Sequence, residues 1–312
     1  MFGKVIEGLK HPNLFCGFIL HRLACVIKDD EAYLKWYYFF PMKRWPDLKN
    51  PKSFNEKLQW LKIHDKNPAY TKMVDKYEVK KYIGELLGQE YVIPTLGVWD
   101  KFEDIDFDSL PRRFVLKCTH DSGGLVICKD KSSLNVDSAR KKINKCLKKD
   151  YYIETREFPY KNVKPRIIAE EYMEQPSASS LNDYKVLCFS GKAKLIEYHV
   201  DRFTDKHTQD FYDAEWNKTP ITQGGYSAFS DYCAPKPVCF NEMIRFSELI
   251  TKDMAHCRVD WYEINGKLFF GEITFFDGSG VEAFDNYADD LMLGSWIDLK
   301  KSYDYNCLLT IF

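Results

Sequence analysis

Four stretches of the chain carry residue types and spacings suited to phosphate and divalent-cation chemistry. Val74-Asp75-Lys76 opens a helix. Phe114-Val115-Leu116-Lys117 is an apolar run closed by a lysine, and the turn His120-Asp121-Ser122-Gly123-Gly124 follows it. The third stretch is Ile168-Ala169-Glu170-Glu171-Tyr172-Met173. The fourth is Arg258-Val259-Asp260, followed by Gly271-Glu272-Ile273-Thr274 and Asp277-Gly278-Ser279-Gly280. A lysine ending a strand before small residues can place a point charge and free backbone N–H groups on a triphosphate. Glycine lets the backbone approach phosphate oxygens closely. Carboxylates on adjacent strands, here Asp260 and Glu272, can hold Mg²⁺ while phosphates complete its oxygen shell. Arg258, two residues from Asp260, can face a phosphoryl group in transfer. Singly, each feature also suits a plainer role: a solvated edge lysine, a hairpin turn, an exposed strand acid. The order and spacing of all four together carry the reading.

These residues need a scaffold, and the composition provides one. The chain has 312 residues, 45% of them apolar and 16% aromatic, which is ample for a packed core in two lobes. Its 45 basic and 46 acidic residues give a net charge of -1, against the basic surplus that nucleic-acid binding needs. Ten cysteines contain no CxxC pair, and several sit in apolar runs, as Cys118 and Cys188 do. That pattern fits buried free thiols in a reduced, cytoplasmic protein better than a disulfide framework or a zinc cluster. The apolar stretch 14–27 contains His21 and Arg22 and is too short to span a bilayer. It reads as a partly buried helix or as an interfacial helix making peripheral membrane contact.

The elements can be read from periodicity and punctuation. Ser53-Phe54-Asn55-Glu56 is a capping box opening a helix through Leu58 and Leu61. A second helix is expected over 75–87, with Val79, Tyr82, Ile83, Leu86 and Leu87 on one face and Gly88 as a left-handed stop. Strands are expected at 91–94, 114–118, 125–128, 166–172, 184–189, 193–198, 258–264 and 267–275, and helices at 136–149 and 242–256. Asn265-Gly266 marks a tight hairpin. With a strict two-residue turn there, Asp260 would face Gly271 and Glu272 would point to the other face. A shared metal therefore requires a bulge or a longer turn. The fold class is α+β. Three parts are expected: a helical, aromatic extension over 1–50, a first lobe over 51–165, and a second lobe with the metal site over 166–312. The small-residue loop 176–182 is the candidate lobe boundary.

In this arrangement the chain resembles the ATP-grasp superfamily of D-alanine–D-alanine ligases and biotin carboxylases, in which two α/β lobes clasp ATP. Lys76 is similar to that family's first phosphate lysine, and Lys117 with the turn at His120, Asp121, Ser122, Gly123 and Gly124 to the second lysine and its closing loop. Glu170, Glu171, Tyr172 and Met173 resemble the interlobe strand that binds adenine, and Asp183 stands at the ribose-binding acid. Arg258, Asp260 and Glu272 match the metal region, with Thr274 where the wider superfamily has Asn. A narrower similarity, over about 45–300, is to the TupA-like branch. It rests on Pro51-Lys52-Ser53-Phe54-Asn55-Glu56-Lys57-Leu58-Gln59-Trp60, Asp201-Arg202-Phe203, Asp210-Phe211-Tyr212-Asp213 and Trp216-Asn217.

The resemblance implies an ATP- and Mg²⁺-dependent carboxylate–amine ligase that works through an acylphosphate. Its implied partners are a small-molecule acid, such as a uronic acid or its nucleotide-linked form in cell-surface polysaccharide synthesis, and an amine or amino acid. Lys117 and Arg258 would act on the phosphates, while Lys185, Arg202 and His207 could meet an anionic sugar or form an exposed hairpin surface. Trp216, Tyr226 and Phe276 could stack on a sugar ring or belong to the core. Three rivals remain open. Asp104-Ile105-Asp106 and Asp106-Phe107-Asp108 spell the metal motif of a glycosyltransferase, although they follow no buried strand. A sugar kinase would keep the ATP site and stop at a phosphoester, and a binding module would release no ADP.

Overall fold

The computed structural model describes residues 12–175, 181–201, 207–223 and 232–302. Two antiparallel sheets dominate. The first contains β1 (Thr95–Trp99), β2 (Phe114–Cys118), β3 (Leu125–Cys128) and β4 (Ile167–Glu171), in the order β1-β4-β2-β3. The second contains β5 (Asp183–Phe189), β6 (Lys192–Val200), β7 (Thr208–Asp213), β8 (His256–Ile264) and β9 (Lys267–Thr274), in the order β7-β6-β5-β8-β9. The α+β expectation is met. Because β4 pairs with β1 and β2, the chain leaves the first sheet after Glu171, beyond the expected 165/166 division. Most of the loop expected at that boundary, residues 176–180, lies outside the described residues.

Helices α1 (Pro12–Leu23) and α2 (Asp30–Met42) form the N-terminal extension, with Leu20, Ala24, Tyr33 and Leu34 packed together. The Asp29 carboxylate caps α2 by accepting from the Ala32 N–H. The next helices are α3 (Phe54–His64), α4 (Tyr70–Val74) and α5 (Glu78–Leu86). They send Phe54, Leu58, Leu61, Val74, Val79 and Ile83 into the core under the second sheet. Residues 51–86 thus pack with the second lobe, although they precede the first in sequence. The first sheet instead covers α6 (Val136–Leu147) through Ala139, Ile143 and Cys146. Three short or late helices complete the set: α7 (Tyr151–Thr155), α8 (Phe240–Thr251) and α9 (Tyr287–Ser295).

Several boundaries differ from expectation for local reasons. The helix expected from Asp75 starts at Glu78, because the Asp75 carboxylate accepts from the N–H groups of Tyr77 and Glu78 and so stands ahead of it. Gly88 lies at φ 124°, ψ 149°, outside the left-handed helical region expected of a helix stop. The strand expected at 91–94 is replaced by a 3₁₀ turn (Gln89–Tyr91) and an isolated bridge from Val92 to Phe270. Pro94, which has no N–H to give a ladder, precedes the true strand β1. Helix α8 ends at Thr251, and β8 takes up the chain from His256.

The capping box forms in both directions: Glu56 N–H donates to Ser53 Oγ at 3.3 Å, and Ser53 N–H donates to Glu56 Oε2 at 3.1 Å. Other polar residues of that motif reach the C-terminal part of the chain. Asn55 Nδ2 donates to Glu282 O at 3.1 Å, Lys57 Nζ to Ile297 O at 2.8 Å, and Gln59 Nε2 to Gly280 O at 2.8 Å. Lys62 Nζ donates to Ser279 O at 2.9 Å. The motif is therefore a clamp that holds the turn Asp277–Gly280 at the end of β9.

The β8–β9 hairpin meets the geometric requirement set by the two acids. Asn265 and Gly266 both have positive φ, 51° and 71°, in a two-residue turn between the paired Ile264 and Lys267. The register then shifts between Val259, which faces Ile273, and Trp261, which faces Phe270. Gly271 and Glu272 together stand opposite Asp260, so a bulge supplies the offset.

Candidate active site

A cleft of 240 Å³ between the sheets is lined by Lys76, Lys80, Lys117, Glu170, Asp260 and Glu272, with the turn Asp121–Gly124 over it. Two lysines and two acids singled out from sequence thus share one concavity.

On the first-sheet side, Lys117 and Glu170 project from adjacent strands β2 and β4. Lys117 Nζ lies 2.5 Å from Glu170 Oε2. Lys80, on α5, lies 2.7 Å from Glu170 Oε1 and donates to Ile93 O at 2.6 Å. Burial alone would raise the Glu170 pKa, but the two lysines hold it at about 2. Burial works against the charge on both lysines. Glu170 more than offsets this at Lys117, which is raised, whereas Lys80 remains lowered. Lys80 was not among the sequence candidates. Its signal was its place four residues beyond Lys76, in the first turn of α5.

Lys76 Nζ donates to Asp121 O at 2.7 Å, which ties the first lysine to the turn. Asp121 Oδ1 accepts from the Gly124 N–H at 2.9 Å. His120 and Asp121 are buried, while Ser122 and Gly123 are exposed. Burial lowers the His120 pKa and favours its neutral form. Glu171 gives its N–H to Pro94 O at 3.1 Å. Tyr172 lies under the Arg113 guanidinium, 5.4 Å from its ring centroid. Of the segment Glu170–Met173, Glu170 is the residue that lines the cleft; Glu171, Tyr172 and Met173 do not.

The second sheet contributes a dense ionic cluster. Lys185 Nζ lies 2.6 Å from Asp260 Oδ2 and 3.0 Å from Asp183 Oδ2. Lys185 is 2% exposed, so the alternative of a free hairpin surface does not hold. Arg258 Nε is 2.7 Å from Asp260 Oδ1, and its Nη2 reaches Asp260 Oδ2 at 2.9 Å, Thr274 Oγ1 at 3.2 Å and Glu272 Oε1 at 3.4 Å. Its Nη1 contacts Asp277, a partner that the sequence reading had not assigned. Burial would raise Asp260, but Arg258 and Lys185 hold it at about 2. Burial would lower Arg258, yet Asp260 and Asp277 lift it well above the ordinary value.

The donor set suits Mg²⁺ by type. Mg²⁺ is commonly held by one or two carboxylates, with phosphate and water completing its shell. Asp260 and Glu272 meet at the bulge, and the Glu272 side chain is 43% exposed toward the cleft. Thr274 stands directly opposite Arg258 in the ladder, and its hydroxyl accepts from Arg258 Nη2. Among the described residues no group of three or more His, Cys, Asp or Glu could hold a metal without such help.

Other candidates lie apart or outside. Arg202 and Tyr226 fall outside the described residues. Trp216 and Phe276 are buried in the main core, which explains them as packing. His207 pairs with His199, Nε2 to Nδ1, at 2.8 Å. Asp104, Asp106 and Asp108 are exposed in and after a 3₁₀ turn (Phe102–Asp104), on no strand.

A family model described as TupA-like ATPgrasp matches residues 56–298. No curated protein matches. Similar solved structures include D-alanine–D-alanine ligase from Bacillus anthracis complexed with ATP, 17% identical, with a TM-score of 0.38, covering 65% of this chain and 53% of that one. They also include D-alanine–D-alanine ligase from Helicobacter pylori, at 14% identity and TM-score 0.41, covering 79% and 70% of the two chains. A third is L-amino acid ligase from Bacillus licheniformis, at 12% and 0.39, covering 69% and 44%. The chain spans about half the length of the first of these.

Proposed function

Since the chain belongs to the TupA-like ATP-grasp family, we propose that it is an ATP-dependent carboxylate–amine ligase acting through an acylphosphate. The observation that supports this most is the meeting of Lys76, Lys117, Asp260 and Glu272 in one cleft. In this reading Lys76 and Lys117 bind phosphate oxygens, and the exposed turn at Ser122 and Gly123 offers backbone N–H groups. Asp260 and Glu272 would hold Mg²⁺, which supplies charge neutralisation along the phosphates. Arg258, fixed by Asp260, Asp277 and Thr274, faces the transferring phosphoryl group and then the oxyanion at the acyl carbon. The turn His120–Gly124 covers the cleft and excludes water from the acylphosphate. Glu170 to Met173 and Asp183 are assigned to adenine and ribose by family resemblance.

The finer substrate reading is a uronic acid, free or nucleotide-linked, joined to an amino acid or small amine in cell-surface polysaccharide synthesis. Exposed Ile19, Leu23 and Val26 near the start support peripheral membrane contact through 14–27. No helix among the described residues is long and apolar enough to cross a membrane. Nine described cysteines are free, which supports a reducing, cytoplasmic setting.

The test is acid-dependent ADP release with Mg²⁺, together with mass spectrometry of the product. Lys117→Ala and Glu272→Gln should each abolish amide formation while circular dichroism stays native. Full activity in either variant removes that residue from the mechanism. A stable phosphoester in place of an amide would select a kinase, and sugar transfer without ADP would select a glycosyltransferase.

A further inference from the structure

The cleft face of the second sheet continues past Asp260. Glu197 on β6 stands opposite Lys185 on β5, and Lys185 stands opposite Asp260 on β8. Glu197, Lys185, Asp260 and Glu272 therefore form one row across four strands, at about 4.8 Å per strand. Glu197 is 5% exposed. Its Oε1 accepts from Gln209 Nε2 at 2.9 Å and makes a short contact with His199 Nε2. Its Oε2 is buried without a partner, and so is Oε1 of Gln209, the residue whose Nε2 reaches the other Glu197 oxygen. Burial would raise Glu197, but His199, Arg258 and Lys185 hold it at about 2, so the group is an ionised carboxylate.

Two buried acceptors on side chains that are hydrogen-bonded to each other, one of them charged, are costly to leave unmet. Asp183, Glu197, Asp260, Glu272 and Asp277 cluster with Lys185 and Arg258, and Glu282 and His199 lie within electrostatic reach of Glu197. Glu197 retains an open oxygen.

We propose that Glu197 Oε2 and Gln209 Oε1 bind the ammonium group of the amine substrate. The site rests on the ligase reading above. An alkyl ammonium brings one positive charge and three N–H donors, which suits an ionised acceptor next to a neutral one. Glu197 is close enough to Arg258 for each to bias the other's ionisation. An amine held there lies beside the group assigned to the acyl oxyanion. His199, backed by His207 and Glu197, is a positioning residue: it occupies Oε1 and leaves Oε2 for the ligand.

The experiment separates the two half-reactions. Wild-type protein, Glu197→Gln and Gln209→Leu receive ATP, Mg²⁺ and D-galacturonic or D-glucuronic acid, free or as the uridine-diphosphate form. Each is assayed with hydroxylamine, which is uncharged near neutral pH and traps acylphosphates as hydroxamates, and with a panel of amino acids and alkyl amines. Both variants should lower the ratio of amide to hydroxamate by about tenfold, as a KM effect on the amine, which corresponds to losing one charge-assisted contact. An unchanged ratio, or an unchanged amine KM, overturns the site; that result would leave an ordered water as the occupant of the two acceptors. Wild-type protein giving neither hydroxamate nor acid-dependent ADP overturns the ligase reading itself. Should Glu197→Gln fail to fold, Gln209→Leu still decides the matter. Glu197→Asp should recover part of the amine affinity.

Discussion

Lys80 Nζ lies 2.7 Å from Glu170 Oε1, on the opposite oxygen from the one that Lys117 takes. One buried carboxylate thus has two cations. If Lys117 turns to a nucleotide phosphate, as the proposed function requires, Lys80 remains to neutralise Glu170. Removing one partner of a buried ion pair leaves an uncompensated charge and costs several kcal/mol, so Lys80 sets how freely Lys117 can leave. Lys80→Met should weaken ADP and ATP binding by about tenfold in calorimetric titration. Adding Glu170→Gln should return most of that loss, because the neutral amide no longer holds Lys117. Equal affinities in wild type and Lys80→Met would show that the lysine only supports the fold.

The same ion pairs fix an acid limit on stability. Glu170 and Asp260 titrate at about 2 in the folded protein, against 4.5 and 3.8 when unperturbed. A carboxylate with a depressed folded pKa contributes stability above its unfolded pKa. That contribution is lost as pH falls through the folded value, since the unfolded chain binds the proton first. Urea midpoints should therefore fall as pH drops from about 4.5 to about 2. The slope should be shallower in Glu170→Gln. A pH-independent midpoint over that window would mean that these pairs add nothing to stability.

Sequence patterns reached those parts of the fold in which local chemistry and burial agree. Asn265-Gly266 between apolar runs announced the last hairpin, Ser53 and Glu56 announced α3, and the demand that Asp260 and Glu272 face one ion announced the bulge. Strand β7 escaped because Gln209 and Asp210 are polar yet buried, so its interior pattern is not apolar. Strand β1 escaped because Thr95 and Leu96 are exposed and Gly97 breaks any alternation. Lys80, and the pairing of Asp277 with Arg258, were hidden for another reason. Their partners, Glu170 and Arg258, meet them only through tertiary packing.

The turn over the cleft depends on one small residue. A Cβ added to Gly124 would lie 2.5 Å from Cys118 Sγ and 3.0 Å from Asp121 Oδ1. Cys118, the last residue of β2, is buried in the core of the first sheet and has little room to yield. Overpacking of this kind costs about 1–3 kcal/mol. Gly124→Ala should lower the melting temperature and weaken nucleotide binding together. At Gly123 an added Cβ meets nothing nearer than Lys149 Nζ at 3.9 Å. Gly123→Ala should accordingly keep the wild-type melting temperature. Equal melting temperatures for the two variants would disprove the packing account.

Gln59 tests the clamp from outside the cleft. Its buried amide donates to Ser279 O at 3.0 Å and to Gly280 O at 2.8 Å, and this turn carries Asp277 to Arg258. Gln59→Leu keeps the volume and removes both donors. Lys62 still serves Ser279 O, but Gly280 O is left buried without its side-chain donor. The loss in stability should be about 1–3 kcal/mol by urea unfolding. Because Arg258 depends on Asp277 for one of its contacts, kcat should fall while the KM for ATP, which the proposed function assigns to Lys76 and Lys117 on the other wall, changes little. A fall in ATP affinity with kcat intact would place the clamp's influence on the lysine wall and contradict this coupling.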